Sequence, residues 1–298
     1  MAPSFLNILI DGKPLDEVSR DVLLNTVEIR QELNQHWWCT VECRQTEDRR
    51  FPIEYCLAKD LRIPARDEDG REIVLFDGYV QEALLDYEIY GSYTARLTGV
   101  TRSYKLDVTP QQAYFRKKTL AEVAQSLTAD DGLEAQVECP SRPPKNYVQW
   151  GESDFDFLTR LADDYDCWIR PTARGIQIAD RFQPGTTLEW RAERGLSRFQ
   201  LEGKLGQPGF SGTHHNPRKM KSQAFRGVKK EAEFFDAARP LVQAVNSGSR
   251  QRLPSGFVPW DTRAATPGEY EEMLKKESAR SIGSRIVGYG LSRNHEIV

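Results

Sequence analysis

Two histidines stand side by side at His214-His215 with Ser211 just upstream, the first place to look for a metal ligand or a base-activated nucleophile. The surrounding Gly-Thr-His-His-Asn-Pro context contains no HExxH pattern and no spaced cysteine pair, so it reads as a surface turn. A second cluster is acidic: Glu152, Asp154, Asp156, Asp163, Asp164 and Asp166. Paired carboxylates hydrolyse glycosides when one is kept protonated beside the other. Here, however, three of them fall in the first turn of an expected helix, where negative charge complements the helix dipole. The acids Asp67, Glu68 and Asp69 before Gly70 lack the alternation and distal glutamate of a calcium loop and read as a turn. No GxSxG elbow, GxxxxGK[ST] phosphate loop or helix-opening GxGxxG occurs. No catalytic, cofactor-binding or metal-binding residue is therefore assigned, and no cofactor is expected.

The elements around these residues are mostly strands over the first 110 positions. Trp37, Cys39, Val41 and Cys43 alternate with Trp38, Thr40, Glu42 and Arg44, which makes the two cysteines small buried hydrophobes. Phe5 to Ile10 before Asp11-Gly12, Ile73 to Gln81 and Ser92 to Val100 continue the habit, and short strands at this spacing suggest a barrel or sandwich. Three helices carry capping chemistry. Thr119 with Glu122 forms a capping box ahead of Leu120, Val123, Ala124 and Leu127, and Gly132 ends that helix. Ser153 with Asp156 opens one with Phe157, Leu161 and Tyr165 on one stripe and Phe155, Leu158 and Ala162 on the next. Thr266, Pro267 and Glu269 open the third. Pro140 to Asn146 is a connection, Cys167 to Arg170 and Gly175 to Ala179 form a hairpin, and Asn246 to Thr266 reads as loop.

The 298 residues hold 41 Lys+Arg and 44 Asp+Glu, 39% apolar residues and five cysteines. A chain of this length buries enough surface for one large core or two smaller ones without disulfide staples. Cys39, Cys43, Cys56, Cys139 and Cys167 are odd in number and contain no CxxC, which fits a reducing site of synthesis. No apolar run reaches the roughly 18 residues of a membrane span, and no basic leader precedes a greasy segment, so a soluble chain with no membrane anchor is expected. The charge is uneven: −7 over residues 1–150 and +4 over residues 151–298. Between Lys204 and Lys230 lie seven Lys/Arg and no acid, including Lys219, Lys221, Arg226, Lys229 and Lys230. Without interleaved aromatics, nucleic-acid contact is expected to be transient at most, and the run reads as a solvated hairpin or a cationic contact surface.

The segment from Tyr147 to Ile169 resembles the strand, "ESD(Y/F)xFLxRLxEExG" helix and following strand of the VgrG and phage late-control D family, the hub proteins of contractile tails. The match runs through Glu152, Ser153, Asp154, Phe155, Asp156, Phe157, Leu158 and Leu161. Phe115 to Leu127 is similar to the family's "FxxKTxxDIxxxIL" helix and Phe76 to Val80 to its "FxGxV" strand. Ser211 to Lys221 resembles the "GWDPxxKK" hairpin, and Ile286 to Val298 the approach to "hxxIxPG". Gly151 departs from the polar residue of many relatives and Asp166 from a helix-ending glycine; the sequence ends at Val298, before the family's OB domain and needle, which are expected either on a separate polypeptide or in a longer form of this chain.

The resemblance implies a β-rich α+β fold of two tail-tube-like barrel domains with a few capped helices, assembled as a trimeric ring of pseudo-sixfold symmetry. The expected domains are residues 1–115, residues 116–200 with both central helices, and residues 201–298 completing the barrels. It implies no enzyme but a structural hub of a phage tail, extracellular contractile injection system or type VI secretion device. Such a hub adapts a hexameric inner tube to a trimeric spike. Its partners are two further copies of itself, the inner tube protein, a spike or OB-needle protein and other baseplate subunits. Assembly is expected in the bacterial cytoplasm, for incorporation into the particle. By alternation Trp38, opposite the cysteine face, is the expected interface tryptophan, and the cations at 219, 221, 226, 229 and 230 are candidates to line the lumen or meet an acidic tube subunit. The alternatives are a carbohydrate-binding adhesin with exposed aromatic platforms and a peptidoglycan-cleaving hub.

Overall fold

A computed structural model describes residues 7–20, 22–45, 51–66, 72–87, 93–165, 167–180, 196–207, 209–216, 219–228, 239–253, 256–258, 266–283 and 286–292. Met1–Leu188 form one compact unit and Glu189–Asn294 another. The turn expected at 67–70, Asp166, Trp190, Lys229 and Lys230 lie outside the described residues. The first unit opens with β1 (Leu9–Ile10), β2 (Lys13–Pro14), a single turn α1 (Leu15–Val18), β3 (Val22–Arg30) and β4 (Trp38–Gln45). It continues through α2 (Ile53–Cys56), β5 (Asp60–Arg66), β6 (Glu72–Tyr87) and β7 (Tyr93–Val100). Among the described residues these strands make a seven-stranded sheet, ordered β2-β1-β5-β6-β7-β4-β3. The sheet curls into a half-barrel whose two edges are β2 and β3.

The alternation of β4 does what the sequence implies. Cys39, Val41 and Cys43 are buried against Ile63, Phe76, Ala95 and Leu97, while Thr40 and Glu42 point away. Burial pushes the thiols of Cys39 and Cys43 up to about 12 and that of Cys56 to about 11, so all three are inert packing groups. Gly78, the glycine of the "FxGxV" stretch, lies where β6 crowds β7: a Cβ there would stand 2.2 Å from the Val100 carbonyl oxygen.

A 3-10 helix (Arg102–Asp107) leads into β8 (Gln111–Lys118), α3 (Leu120–Asp130), β9 (Glu134–Glu138), β10 (Lys145–Glu152), α4 (Asp154–Asp164), β11 (Trp168–Thr172) and β12 (Gly175–Ala179). The Thr119–Glu122 capping box is fully formed, and Gly132 past its end takes a left-handed backbone, φ +68°. Ser153 caps α4 through the Asp156 N–H at 3.0 Å, and both predicted stripes of α4 are buried. The predicted hairpin is β11–β12, and β9 joins it in parallel. These elements enclose a second core centred on Val123, Phe157, Leu158, Leu161, Ile169 and Ile176.

Cys139 and Cys167, whose Cα atoms lie 6.2 Å apart, are bonded, a pair that the sequence reading, which holds only that a chain of this length needs no disulfide staples, does not anticipate. The pair escapes a sequence reading because the two residues, 28 apart, meet only where β9 and β11 flank the end of β12.

The second unit contains β13 (Leu196–Gly203), β14 (Phe210–Asn216), β15 (Lys221–Val228), α5 (Arg239–Arg252), β16 (Gly256–Val258), α6 (Pro267–Gly283) and β17 (Ile286–Ser292). The loop expected from Asn246 to Thr266 is largely not one: α5 runs to Arg252 and β16 pairs with β14. Packing overrides the poor helix formers Ser247, Gly248 and Ser249. A Cβ at Gly248 would come 2.9 Å from Leu205, and the Ser249 hydroxyl accepts the Gly206 N–H at 3.1 Å. The histidines are not in a turn either, since both lie in β14. His214 is buried beside Tyr270 of α6, whose hydroxyl donates to the Val258 carbonyl at 2.7 Å. His215 faces the other way, its Nδ1 2.9 Å from Ser222 Oγ.

Candidate assembly surface

Strands β8 and β10 form a two-stranded antiparallel ribbon set apart from the larger sheets. Its inward face is read from the alternation: Phe115 stacks on Phe157 with centroids 5.7 Å apart, and Tyr147 and Gln149 are buried. The outward face carries Tyr114 (61% exposed) directly across from Val148 (51%), and Trp150 (75%) across from Gln112. Arg116, Lys117, Lys118 and Lys145 crowd the other end of the ribbon and are exposed. An exposed apolar row edged by cations makes this face a candidate contact surface.

Glu152, Asp154 and Phe157 of the "ESD" helix motif hold this ribbon in place, and the other motif residues anchor α4 itself. Gln149 donates to the Glu152 carbonyl (3.1 Å) and to Asp154 Oδ1 (2.7 Å). Burial, the larger influence, raises the Asp154 carboxyl while the Gln149 bond lowers it. Glu152 receives Arg160 Nη2 at 2.6 Å and Nε at 3.1 Å, and the same guanidinium donates to the Val148 carbonyl at 3.0 Å. Phe157, Leu158 and Leu161 are sealed in the core, and Phe155 packs on His36 with centroids 3.9 Å apart. Asp156 is exposed and contributes its backbone N–H to the cap. Gly151 sits at the register shift between Trp150 and Glu152 with φ +65°, a left-handed position that favours glycine.

Trp38, the tryptophan singled out by alternation, is half-buried with its ring edge on Tyr104, centroids 5.7 Å apart. The sequence reading does not single out Trp150, although the same alternation through Tyr147, Val148, Gln149 and Trp150 carries the signal that would have found it. In the second unit Lys219, Lys221 and Arg226 are exposed on the β14–β15 hairpin, whose form agrees with the sequence reading. Met220 at its tip is 80% exposed with φ +49°.

A third cluster was not foreseen. His36, on the β3–β4 connection, places Nδ1 3.0 Å from Ser103 Oγ and Nε2 3.5 Å from Asp107, and Asp107 accepts the Ser153 hydroxyl at 2.5 Å. The order serine, histidine, aspartate is that of a hydrolase triad, yet Ser103 is fully buried and no substrate carbonyl can reach its oxygen as it stands. The cluster instead ties the first core to the α4 cap. Asn34, two residues earlier with φ +59°, adds a strand-like clamp: its N–H donates to the Ile169 carbonyl (2.7 Å) and its Oδ1 accepts the Ile169 N–H (2.8 Å).

The clamp, the cap and the ribbon all lie within residues 30–180, the span matched by the family model described as phage tail baseplate hub (GPD). The chain belongs to that family. Its fold is similar to the 43 kDa tail protein of prophage MuSo2 from Shewanella oneidensis, at 15% identity and TM-score 0.66, covering 96% of this chain and 80% of that one. A tail protein from Neisseria meningitidis MC58 gives the same TM-score at 12% identity, covering 98% and 81%. The E. coli c3393 protein, a type VI secretion component described as structurally similar to T4 tail proteins gp27 and gp5, matches 66% of this chain and 56% of its own at 18% identity and TM-score 0.52. No curated protein matches the chain by sequence. The β-rich fold and the hub reading of the sequence stand, and no helix among the described residues is long and apolar enough to cross a membrane.

Proposed function

We propose that this hub protein works as a homotrimer that seats the inner tube above and a spike below, with geometry and binding rather than catalysis as its task. The observation that carries the reading is the outward row Tyr114, Val148 and Trp150 on a ribbon that lies inside the hub-family span. Two strand edges support it: β3 and β8 each pair on one side only among the described residues, and β3 exposes Leu23 and Leu24 beside its free edge. An edge of nine residues in a chain that must not aggregate is best explained by pairing with a neighbouring copy. The exposed cations Lys219, Lys221 and Arg226 suit an acidic tube subunit, and Trp38 remains a candidate contact beside Tyr104. The alternative adhesin draws no support from the comparisons.

Light scattering across a concentration series at two salt levels tests this. A particle near three times 34.1 kDa that persists on dilution is the expected result. A monomer at every concentration, also in the presence of tube protein, would sink the trimer reading.

A further inference from the structure

The connection from Cys139 to Tyr147 lies against the end of α4 along a seam of four contacts. Cys139 meets Cys167, Arg142 Nη1 donates to the Asp164 carbonyl at 2.8 Å, the Arg142 guanidinium covers the Tyr165 ring at 4.7 Å, and Tyr147 and Tyr165 share a hydroxyl hydrogen bond. The cysteines close the base of the excursion that carries β10, its outward Trp150 and α4. The two sulfurs differ in access, Cys139 being half-buried and Cys167 only 2% exposed. Each also has a backbone carbonyl 3.7 Å away, Ile178 for Cys139 and Tyr165 for Cys167, so each thiol has an acceptor when reduced. The seam can therefore exist in both redox states without rebuilding.

We propose that Cys139 and Cys167 are a thiol–disulfide exchange site: the chain folds as the dithiol and is stapled later by a low-molecular-weight disulfide. The Cys139 thiolate attacks one sulfur of the small disulfide, whose S–S bond breaks; a mixed disulfide forms and one small thiolate leaves, taking up the proton Cys139 gave. The Cys167 thiolate then attacks Cys139 Sγ and expels the second small thiolate, which takes the proton from Cys167. Two protein thiols are oxidised and one small disulfide is reduced to two thiols. The other cysteines cannot compete, since Cys39, Cys43 and Cys56 are at most 1% exposed. The setting, synthesis in a reducing cell and service outside it, rests on the hub reading; the exchange chemistry does not.

The test denatures expressing cells in guanidinium chloride containing N-ethylmaleimide, which exposes the buried thiols to the label, does the same separately to the purified chain after incubation with oxidised glutathione, and maps the labels by peptide mass spectrometry. All five cysteines should be labelled in the cell sample, and only Cys39, Cys43 and Cys56 after glutathione, with a linked Cys139–Cys167 peptide. Hydrogen exchange of the amides from Ser141 to Tyr147 should slow about tenfold on oxidation, and the Cys139→Ser chain should show no such change. Five free thiols after glutathione, a pair already closed in the cell, or linkage of Cys43 to Cys56 would each overturn the proposal. Light scattering on the purified chain before denaturation reports separately on the trimer.

Discussion

Ser153→Ala is the perturbation on which the structure makes its sharpest demand. The hydroxyl of Ser153 does two jobs at once: its oxygen accepts the Asp156 N–H at 3.0 Å, and its proton goes to Asp107. Loss of an N-cap costs about 1 kcal/mol. The bond to a carboxylate would add about 1.5–3 kcal/mol if sealed from water. Asp107 is a third exposed, however, so solvent replaces the donor and the second loss shrinks to about 1 kcal/mol. The sum, about 2 kcal/mol, should lower the midpoint of the first unit's transition by about 5 °C, given about 2.1 cal/mol/K of unfolding entropy per residue over a unit of this size. Differential scanning calorimetry of the full chain resolves this if the second unit's transition stays put. Ser153→Thr keeps both bonds and should recover most of the loss. A double-mutant cycle with Asp107→Asn should return a coupling of about 0.5–1 kcal/mol. A loss below about 0.5 kcal/mol, or no coupling, would show that the cap and the Asp107 contact are incidental to α4.

Three further outcomes follow from other parts of the fold. Burial lowers the His36 pKa below its ordinary 6.5, more than Asp107 and Asp156 raise it, so the unfolded chain takes up this proton first. The first unit should therefore lose stability as pH falls below 6.5 toward the folded pKa, and His36→Gln should flatten that part of a denaturation-versus-pH curve. Asp77 and Asp154, raised chiefly by burial, act in the opposite sense as pH rises above 3.8, and the comparison with His36→Gln, which leaves both carboxyls in place, isolates the histidine contribution. Gly78→Ala forces a methyl onto the Val100 carbonyl and should cost about 3 kcal/mol in urea unfolding; a near-neutral result would mean β6 and β7 can separate freely. Trp150→Glu, at a site exposed in the single chain, should weaken self-association by about 2 kcal/mol per contact in a dilution series and lower the calorimetric midpoint only where the parent chain is associated, and unchanged association would remove Trp150 from the interface.

Strands and caps were legible because their signals are local. The alternation through Cys39, Val41 and Cys43, the Thr119–Glu122 box and the Ser153 cap need only a few neighbours to be satisfied. What was illegible depends on a second layer. Alternation assigns Trp38 and Trp150 each to a face, but it does not say that Tyr104 of the 3-10 helix covers Trp38 while nothing described lies over Trp150. His214 is buried because Tyr270 of α6 packs beside it, and the signal for that lies 56 residues away. Helix α5 hides behind Ser247, Gly248 and Ser249 because what recommends small residues there is the close approach of Leu205 and the backbone of Gly206, not helix propensity. The Cys139–Cys167 pair likewise depends on β9 and β11 lying on either side of β12.

The placement of the family motif separates folding from assembly in this hub. Apart from the exposed carboxylate of Asp156, the eight motif residues point into the core or into the cap and ion pair that support β10. The proposed contact side chains, Tyr114, Val148 and Trp150, lie exposed on the ribbon that those residues support. Substitutions at Leu158 or Leu161 must then reduce assembly through stability, in proportion to the cavity they leave. Substitutions on the outward row must reduce it at constant stability. The two classes separate on a plot of trimer fraction against unfolding free energy, and a motif variant that lost assembly while keeping full stability would show that the motif itself touches a partner.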